Sequence, residues 1–438
     1  VSPQAASPLV RIGGTISQVT PSALAIEGLS RVARLGDCIH FDSGDEQQMG
    51  EVVRITGDDV TVKPYASCAN VRLGAAAWHA GRFSIAPHEA WKGRVVNALG
   101  EPLDGRGALV RGRAFDPRGV AAPGALERAL VRQPIVTGVR AIDIFTPLCA
   151  GQRVGVFAGS GVGKSTLLAM LTQACAHDAV VIALVGERGR EVRDFLHDVL
   201  EPELDNITAV IATGDESAML RKLAPETAMG IAEFFRAEGK SVLLIVDSLT
   251  RYAHAARDVA LAAGEPPVAR GFAPSVFTDL PRLIERGGPG RDGEGTITGV
   301  FSVLVDGDDP NEPVADCLRG TLDGHILLSR AVADEGRFPA VDVLASVSRL
   351  AGRVWSQEQL RAVQELRGLV ARFEDSRDLR LMGGYQAGTD VQLDHALKVV
   401  PRLYDFLNQR SADAGGSDPF AELARALGPE PVTAAVSS

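Results

Sequence analysis

The run Ala158-Gly159-Ser160-Gly161-Val162-Gly163-Lys164-Ser165-Thr166 constrains this chain more than any other stretch. An apolar segment, residues 154–157, precedes it, and a helix-like segment, residues 167–171, follows. Strand, glycine loop and helix is the order a phosphate-binding loop requires. Glycines let successive backbone N–H groups turn inward toward phosphate oxygens, and the start of a helix adds its positive end. In such a loop Lys164 reaches the β- and γ-phosphates and the Ser165 hydroxyl binds Mg²⁺. Ala158 stands where the strict pattern has glycine, so only the looser form of the motif is met. The plain alternative is a glycine-rich turn with no ligand. Lys164-Ser165 behind a strand argues against it, and the chain is expected to bind a nucleoside triphosphate through residues 159–166.

Composition narrows the classes further. At 438 residues the chain is long enough for two or three domains. Its 45% apolar content supports real cores. The net charge of −10 argues against a general nucleic-acid binder. Five widely spaced cysteines with no C-x-x-C pair do not suggest a disulfide framework or a zinc site, and fit a reducing compartment. The eight histidines are scattered and form no metal-spaced pair. No apolar run approaches the ~18–20 residues of a membrane span, and the N-terminus has no charged-then-apolar signal pattern. The chain starts at Val1 rather than at methionine, so a preceding segment is compatible with it.

Three textures follow one another. Residues 1–90 carry short alternating segments (9–12, 15–19, 52–55 and 60–62) with turn residues such as Gly57-Asp58-Asp59 between them. This predicts a small antiparallel β-barrel. A link punctuated by glycine and proline, residues 98–105, comes next. Residues 91–352 then alternate helical stretches with apolar runs at 180–185, 207–212, 242–246 and 300–305. Runs apolar throughout are what parallel strands covered on both faces look like, so the central fold class is α/β, a P-loop core with a mostly parallel sheet. The glycine-rich stretch 287–295 is expected to be a flexible loop, either a solvated linker or a mobile working loop. Residues 353–438 form a helical domain. Ser356-Gln357-Glu358-Gln359 resembles a capping box, and Leu360, Val363, Leu366, Val370 and Phe373 follow at helical spacing, as do apolar residues in 393–407. The tail from about Gly428 is expected to fray.

Hydrolysis needs more than the loop. Five apolar residues precede Asp247. A carboxylate at the end of a buried strand is costly unless it organises Mg²⁺ and its waters; the other reading is an acid that, with Ser248, caps the next helix. Glu187 follows the 180–185 run, at a strand end placed near the phosphate-loop strand. It is the best candidate to polarise water at the carboxyl edge of the sheet, with Arg188 beside it to neutralise phosphate charge. Because Glu187, Arg188, Arg190, Glu191 and Arg193 are all charged, a surface ion-pair cluster explains the stretch equally well.

The ensemble resembles a known family. Gly186-Glu187-Arg188-Gly189-Arg190-Glu191-Val192, Asp247-Ser248-Leu249-Thr250-Arg251-Tyr252, Gly264-Glu265-Pro266-Pro267, Pro274-Ser275-Val276-Phe277, Asp323-Gly324-His325-Ile326 and Pro339-Ala340-Val341-Asp342 look like segments of the type III protein-export ATPases. So do Gly93-Arg94-Val95-Val96-Asn97 and Thr137-Gly138-Val139-Arg140. These enzymes are relatives of the rotary ATP synthase catalytic subunit, and the flagellar branch gives the nearest likeness. It extends from about Arg11 to about Leu407, and Ala158 also matches it.

The resemblance implies a RecA-like core and a set of roles. Lys164 and Ser165 hold phosphate and Mg²⁺, Glu187 polarises the attacking water, Arg188 contacts the γ-phosphate and Asp247 organises the Mg²⁺ shell. Arg349 corresponds to an arginine finger that reaches a neighbour's site. Phe338 falls where the family usually has a tyrosine against adenine; stacking survives loss of the hydroxyl. A trans arginine is worth about 10³–10⁵ in rate, roughly 4–7 kcal/mol of barrier, so the resemblance implies a homohexamer. It also implies a stator-like regulator, a central-stalk coiled coil, export-gate membrane proteins and chaperone–substrate complexes as partners, at the cytoplasmic face of the inner membrane. The function implied is ATP hydrolysis that energises flagellar protein export. Alternatives are the ATPase of a virulence or symbiosis secretion system, and a non-catalytic nucleotide-binding subunit of a rotary ring, which Glu187 argues against. A rotary synthase catalytic subunit fits the motifs less well, and net charge disfavours a nucleic-acid translocase.

Overall fold

The computed structural model describes residues 11–174, 177–197, 204–305, 312–410 and 418–428, together with residues 413 and 416. Six strands, β1 (Gly13–Val19), β2 (Leu24–Glu27), β3 (Asp37–Ser43), β4 (Glu46–Ile55), β5 (Asp59–Pro64) and β6 (Ala76–Arg82), close into an antiparallel barrel. Alternate residues fill it: Leu24 and Ile26, Ile39 and Phe41, and Val60 and Val62 are fully buried. Pairing of β1 with β6 closes the ring and removes the free edges. The expected segment 9–12 is not a strand where it is described. Residues 9 and 10 lie outside the described residues, and Arg11 and Ile12 precede β1, although the Ile12 carbonyl accepts the His79 N–H at 2.9 Å.

Beyond the barrel come β7 (Val95–Asn97) and a two-stranded ribbon, β8 (Pro134–Ile135) with β9 (Leu148–Cys149), around α1 (Arg140–Phe145). The central unit then runs β10 (Arg153–Ala158), α2 (Lys164–Ala174), β11 (Ala179–Val185), α3 (Gly189–Phe195), β12 (Ile207–Ala212), α4 (Ala218–Ala237), β13 (Ser241–Asp247), α5 (Leu249–Ala262) and α6 (Val276–Glu285). It continues with β14 (Gly288–Pro289), β15 (Thr296–Leu304), α7 (Pro313–Thr321), β16 (Gly324–Leu328), α8 (Arg330–Asp334) and β17 (Val347–Ser348). The sheet order is β17-β16-β10-β15-β13-β11-β12-β7, with β14 beside β15. Only β14 and β17 pair antiparallel. The strands are mostly apolar on both faces because alternate residues enter different layers. In β11, Ala179, Val181, Ala183 and Val185 pack with Leu223 and Met229 of α4 and Tyr252 of α5, whereas Val180, Ile182 and Leu184 pack with Leu167 and Leu171 of α2.

The chain ends in helices α9 (Ala351–Val354), α10 (Gln357–Asp375), α11 (Arg377–Leu381), α12 (Val391–Leu407) and α13 (Pro419–Leu427). The capping box is present: Ser356 Oγ accepts the Gln359 N–H at 3.2 Å, and Gln359 Oε1 accepts the Ser356 N–H at 2.8 Å. Val363, Leu366 and Val370 of α10 are buried in one cluster with Leu393, Ala396, Val400 and Leu403 of α12. Leu360 and Phe373 are only half-buried. The tail beyond Gly428, expected to fray, lies outside the described residues.

The stretch 287–295 turns from β14 back to β15, with Arg291, Asp292 and Gly293 exposed at its tip and its base tied into the sheet. Its first residues are buried, Pro289 pairs with Thr296, and the Gly290 N–H bonds to the Gly295 carbonyl at 3.0 Å. Just before it, the buried Arg286 guanidinium bonds to both oxygens of Glu233 at 2.9 and 2.6 Å, and Arg236 donates to the Arg286 carbonyl at 2.7 Å. A short ladder and a bidentate buried ion pair fix the base of this turn.

One buried base makes stability depend on pH. His177 sits below β13, with Nδ1 3.1 Å from Ser241 Oγ and Nε2 buried without a hydrogen-bond partner. Burial lowers its pKa to about 4, from 6.5. Between those values the unfolded chain takes up a proton that the folded chain refuses. The contribution is whole above about pH 6.5 and is lost as pH falls toward 4, by at most about 3 kcal/mol. Chemical denaturation at pH 7 and pH 4.5 should show a smaller acid loss in His177→Gln than in the parent; equal losses would refute the assignment.

Candidate functional site

The site lies at the carboxyl ends of the parallel strands, where β10 turns into the glycine loop and α2. Gly161 and Gly163 hold φ of +77° and +90°, conformations that side chains with a Cβ rarely adopt. The first turn of α2 presents Lys164, Ser165 and Thr166, the last two exposed at the loop mouth.

Lys164 is largely buried and faces two carboxylates. Its Nζ bonds to Asp247 Oδ1 and lies 3.5 Å from Glu187 Oε1. Asp247 is 5% exposed at the end of β13, and the same oxygen accepts the Ser302 hydroxyl of β15 at 2.6 Å. The capping role expected as an alternative for Asp247 falls to its neighbour: Ser248 Oγ accepts the Arg251 N–H at 3.3 Å at the start of α5.

Glu187 reaches Lys164 from further away than its sequence position suggests. Strands β13 and β15 stand between β11 and the phosphate-loop strand β10, so the expected proximity of the strands does not hold. The turn after β11 makes up the distance. Gly186 adopts φ +69°, its N–H bonds to the Ala212 carbonyl at 2.7 Å, and the Glu187 carbonyl accepts the Gly214 N–H at 3.0 Å. A Cβ at Gly186 would come within 3.0 Å of Arg251 Cβ, so glycine also makes room for the arginine stem. Glu187 Oε1 is buried and accepts no hydrogen bond. Burial pushes the Glu187 pKa up; Lys164 opposes the shift and Asp247 reinforces it.

The other expected site residues are distributed unevenly. The Arg188 side chain, expected at the γ-phosphate, is 86% exposed and lies 3.4 Å from Glu191 in a surface pair at the start of α3. Phe338 stands by the loop: a Cβ on Gly163 would lie 3.7 Å from its Cδ1. Phe338 borders a cavity of about 280 Å³ that includes Tyr404, Leu407 and Asn408 of the terminal helical region. Arg349 is at the opposite end of the sheet. It follows β17, its N–H bonds to the Asp323 carbonyl at 3.0 Å, and Asp323 bonds to Arg153 at the start of β10. The six residues of β10 span roughly 16 Å at about 3.3 Å per step, more than an arginine side chain can bridge.

Three residues enter the site without having been singled out. Ser302 anchors Asp247, but a serine inside an apolar strand carries little signal. Arg251 rests on Gly186 with its Nε buried and without a hydrogen-bond partner, and its charge bears on Glu187. Its place in the first turn of α5, just after the strand-end Asp247, was the available clue. Arg330 donates to the Ser160 carbonyl at 2.6 Å.

A glycine loop between a central parallel strand and a helix, with a buried lysine set against two strand-end carboxylates, defines a RecA-like P-loop nucleotide-binding protein. Residues 138–348 match the ATP synthase alpha/beta family, nucleotide-binding domain, and residues 355–427 match the T3SS EscN ATPase C-terminal domain. The flagellum-specific ATP synthase of Rhizobium meliloti (strain 1021) is 54% identical over 415 residues, covering 95% of this chain and 89% of that protein. The SPI-2 type 3 secretion system ATPase of Salmonella typhimurium (strain LT2) is 44% identical over 387 residues, covering 88% of each. The assembled ATPase EscN in complex with its central stalk EscO, from the enteropathogenic E. coli type III secretion system, superposes with a TM-score of 0.87 at 37% identity, over 95% of this chain and 100% of that one. The chain belongs to the family of flagellum-specific ATP synthases and type III secretion ATPases.

Proposed function

We propose that this chain is an ATPase that hydrolyses ATP at sites shared between neighbouring copies and so energises flagellar protein export. The observation that carries the reading is Lys164 held between Asp247 and Glu187 at the mouth of the phosphate loop. The higher identity to the flagellar relative than to the SPI-2 enzyme favours the flagellar over the virulence branch.

The residues assign themselves by chemistry. The loop N–H groups, Lys164 and Arg251 bind the phosphates; Arg251 has an unsatisfied buried donor ready for an oxygen. Glu187, its pKa raised, accepts the proton of the attacking water. The donor set suits Mg²⁺: hard oxygens, with too few protein ligands for a self-sufficient cage among the described residues. Ser165 and Asp247 would hold the ion, which neutralises charge on the phosphate oxygens. Phe338 stacks on adenine. Arg188, exposed in the single chain, would have to swing inward to meet the γ-phosphate.

Arg349 serves a neighbour's site, because its own loop lies at the far end of β10. Self-assembly into a homohexamer therefore completes the site, and the assembled EscN relative supports this. A central-stalk partner is inferred on the same ground. Exposed Leu379, Leu381, Met382 and Val391 around α11 offer such a partner an apolar surface. The stator-like regulator, the export gate at the inner membrane and chaperone–substrate complexes complete the proposed setting; among the described residues no helix is long and apolar enough to cross a membrane.

Phosphate release per chain, measured with MgATP over a dilution series, should rise with protein concentration as copies assemble. A flat profile would contradict composite sites.

A further inference from the structure

Arg330 has no place in the hydrolytic machinery described above, yet it touches the phosphate loop. Strands β10 and β16 are neighbours, with Ala158 opposite Leu328. The phosphate loop and the segment that opens with α8 therefore leave the sheet side by side. That segment returns to the same edge: Leu328 bridges Val341, and the Ser329 N–H bonds to the Ala340 carbonyl at 2.9 Å. Between those points it meets the loop twice. Phe338 abuts Gly163, and the Arg330 guanidinium donates to the Ser160 carbonyl at 2.6 Å. Among the described residues no carboxylate pairs with Arg330, whereas Arg337 and Arg377 on the same side both pair with Glu335.

The bond has a consequence for the cradle. In a trans peptide the C=O and the next N–H point in opposite directions. Fixing the Ser160 carbonyl on Arg330 turns the Gly161 N–H away from Arg330, and Gly161, at φ +77°, is one of the two residues that curl the loop. Inward N–H groups are what such a loop offers an anion. We infer that Arg330 is a positioning residue for nucleotide binding: by holding the Ser160 carbonyl it presets the loop for the di- or triphosphate, and it ties that loop to the segment carrying Phe338. The inference rests on the phosphate-loop reading above.

The test is calorimetric affinity of the intact chain for Mg-ADP and for Mg-pyrophosphate, which has no base to stack. Arg330→Ala should weaken both by about tenfold, the scale of one charge-assisted hydrogen bond. Arg330→Lys, which keeps a donor, should recover most of the loss. The steady-state KM for ATP should rise with little change in kcat, and melting of the nucleotide-free chain should stay as in the parent. Arg330→Gln, which keeps a donor without the charge, should recover part of the loss even at high salt, where charge is screened. A loss abolished entirely by high salt would mean a purely electrostatic role toward the phosphates and overturn the positioning role; so would parent-like pyrophosphate affinity in Arg330→Ala. Lys164→Ala separates the two readings. If it too binds pyrophosphate normally, the phosphate-loop reading fails; if it loses binding while Arg330→Ala does not, only the inference about Arg330 falls.

Discussion

Glu187→Gln is expected to lower kcat by about 10²–10⁴-fold, the usual worth of a general base, while MgATP still binds. The amide keeps the shape of the side chain and cannot take a proton from water. Its surroundings make the test sharper. Burial raises the Glu187 pKa, Lys164 partly counters this, and Asp247 adds to it. The group is active as a carboxylate, so kcat should decline on the acid side with a midpoint above the ordinary carboxylate range. Below that midpoint the protonated acid can no longer accept a proton; above it the rate should level off. A pH profile of single-turnover hydrolysis reads this directly. Parent-like turnover in Glu187→Gln would end the enzymatic reading and favour a nucleotide-binding subunit without catalysis.

The second large effect is expected at Arg349. Arg349→Ala should cut turnover by about 10³–10⁵-fold, as for other arginines supplied in trans, with nucleotide affinity of the single chain little changed. The argument is geometric. Arg349 is anchored near Asp323 and the start of β10, and the phosphate loop begins at the other end of that strand. An arginine so placed cannot serve its own site. Mixing makes the test decisive. Lys164→Ala chains lack a working loop but keep Arg349, and Arg349→Ala chains keep the loop but lack the finger. Each alone should be nearly inactive, while a mixture at assembling concentrations should regain a fraction of parent turnover at those interfaces where a sound loop meets a sound arginine. No regain, with assembly verified by light scattering, would show that Arg349 does not act across an interface.

Much of this architecture was legible in the residues. Non-alternating, mostly apolar runs at 180–185, 207–212 and 242–246 marked strands covered on both faces, because a strand with one wet face must alternate. Ser356 and Gln359 marked a helix start, because the four orphan N–H groups there need such partners. The resemblance named roles that periodicity could not. What escaped was whatever depended on neighbours distant in the chain. The glycine-rich 287–295 stretch read as one loop, yet a buried Glu233–Arg286 pair and a two-residue ladder fix its base. Glu187 was expected beside the phosphate-loop strand, and two strands intervene. Ser302 and Arg330 had no local pattern at all.

The amino-acid sequence by itself determined that a glycine loop over residues 158–166 joins a strand to a helix, that a parallel sheet carries the loop, and that Glu187 follows one strand of that sheet and Asp247 ends another. Those properties reside in short segments, where backbone freedom, hydrophobic period and strand-end charge act over a few residues. The tertiary structure alone decided that Lys164 sits between the two carboxylates, that Arg251 and Arg330 reach the site, and that Arg349 stands at the wrong end of the sheet to serve its own loop. Strand order decides such questions, and strand order comes from packing many segments into one sheet.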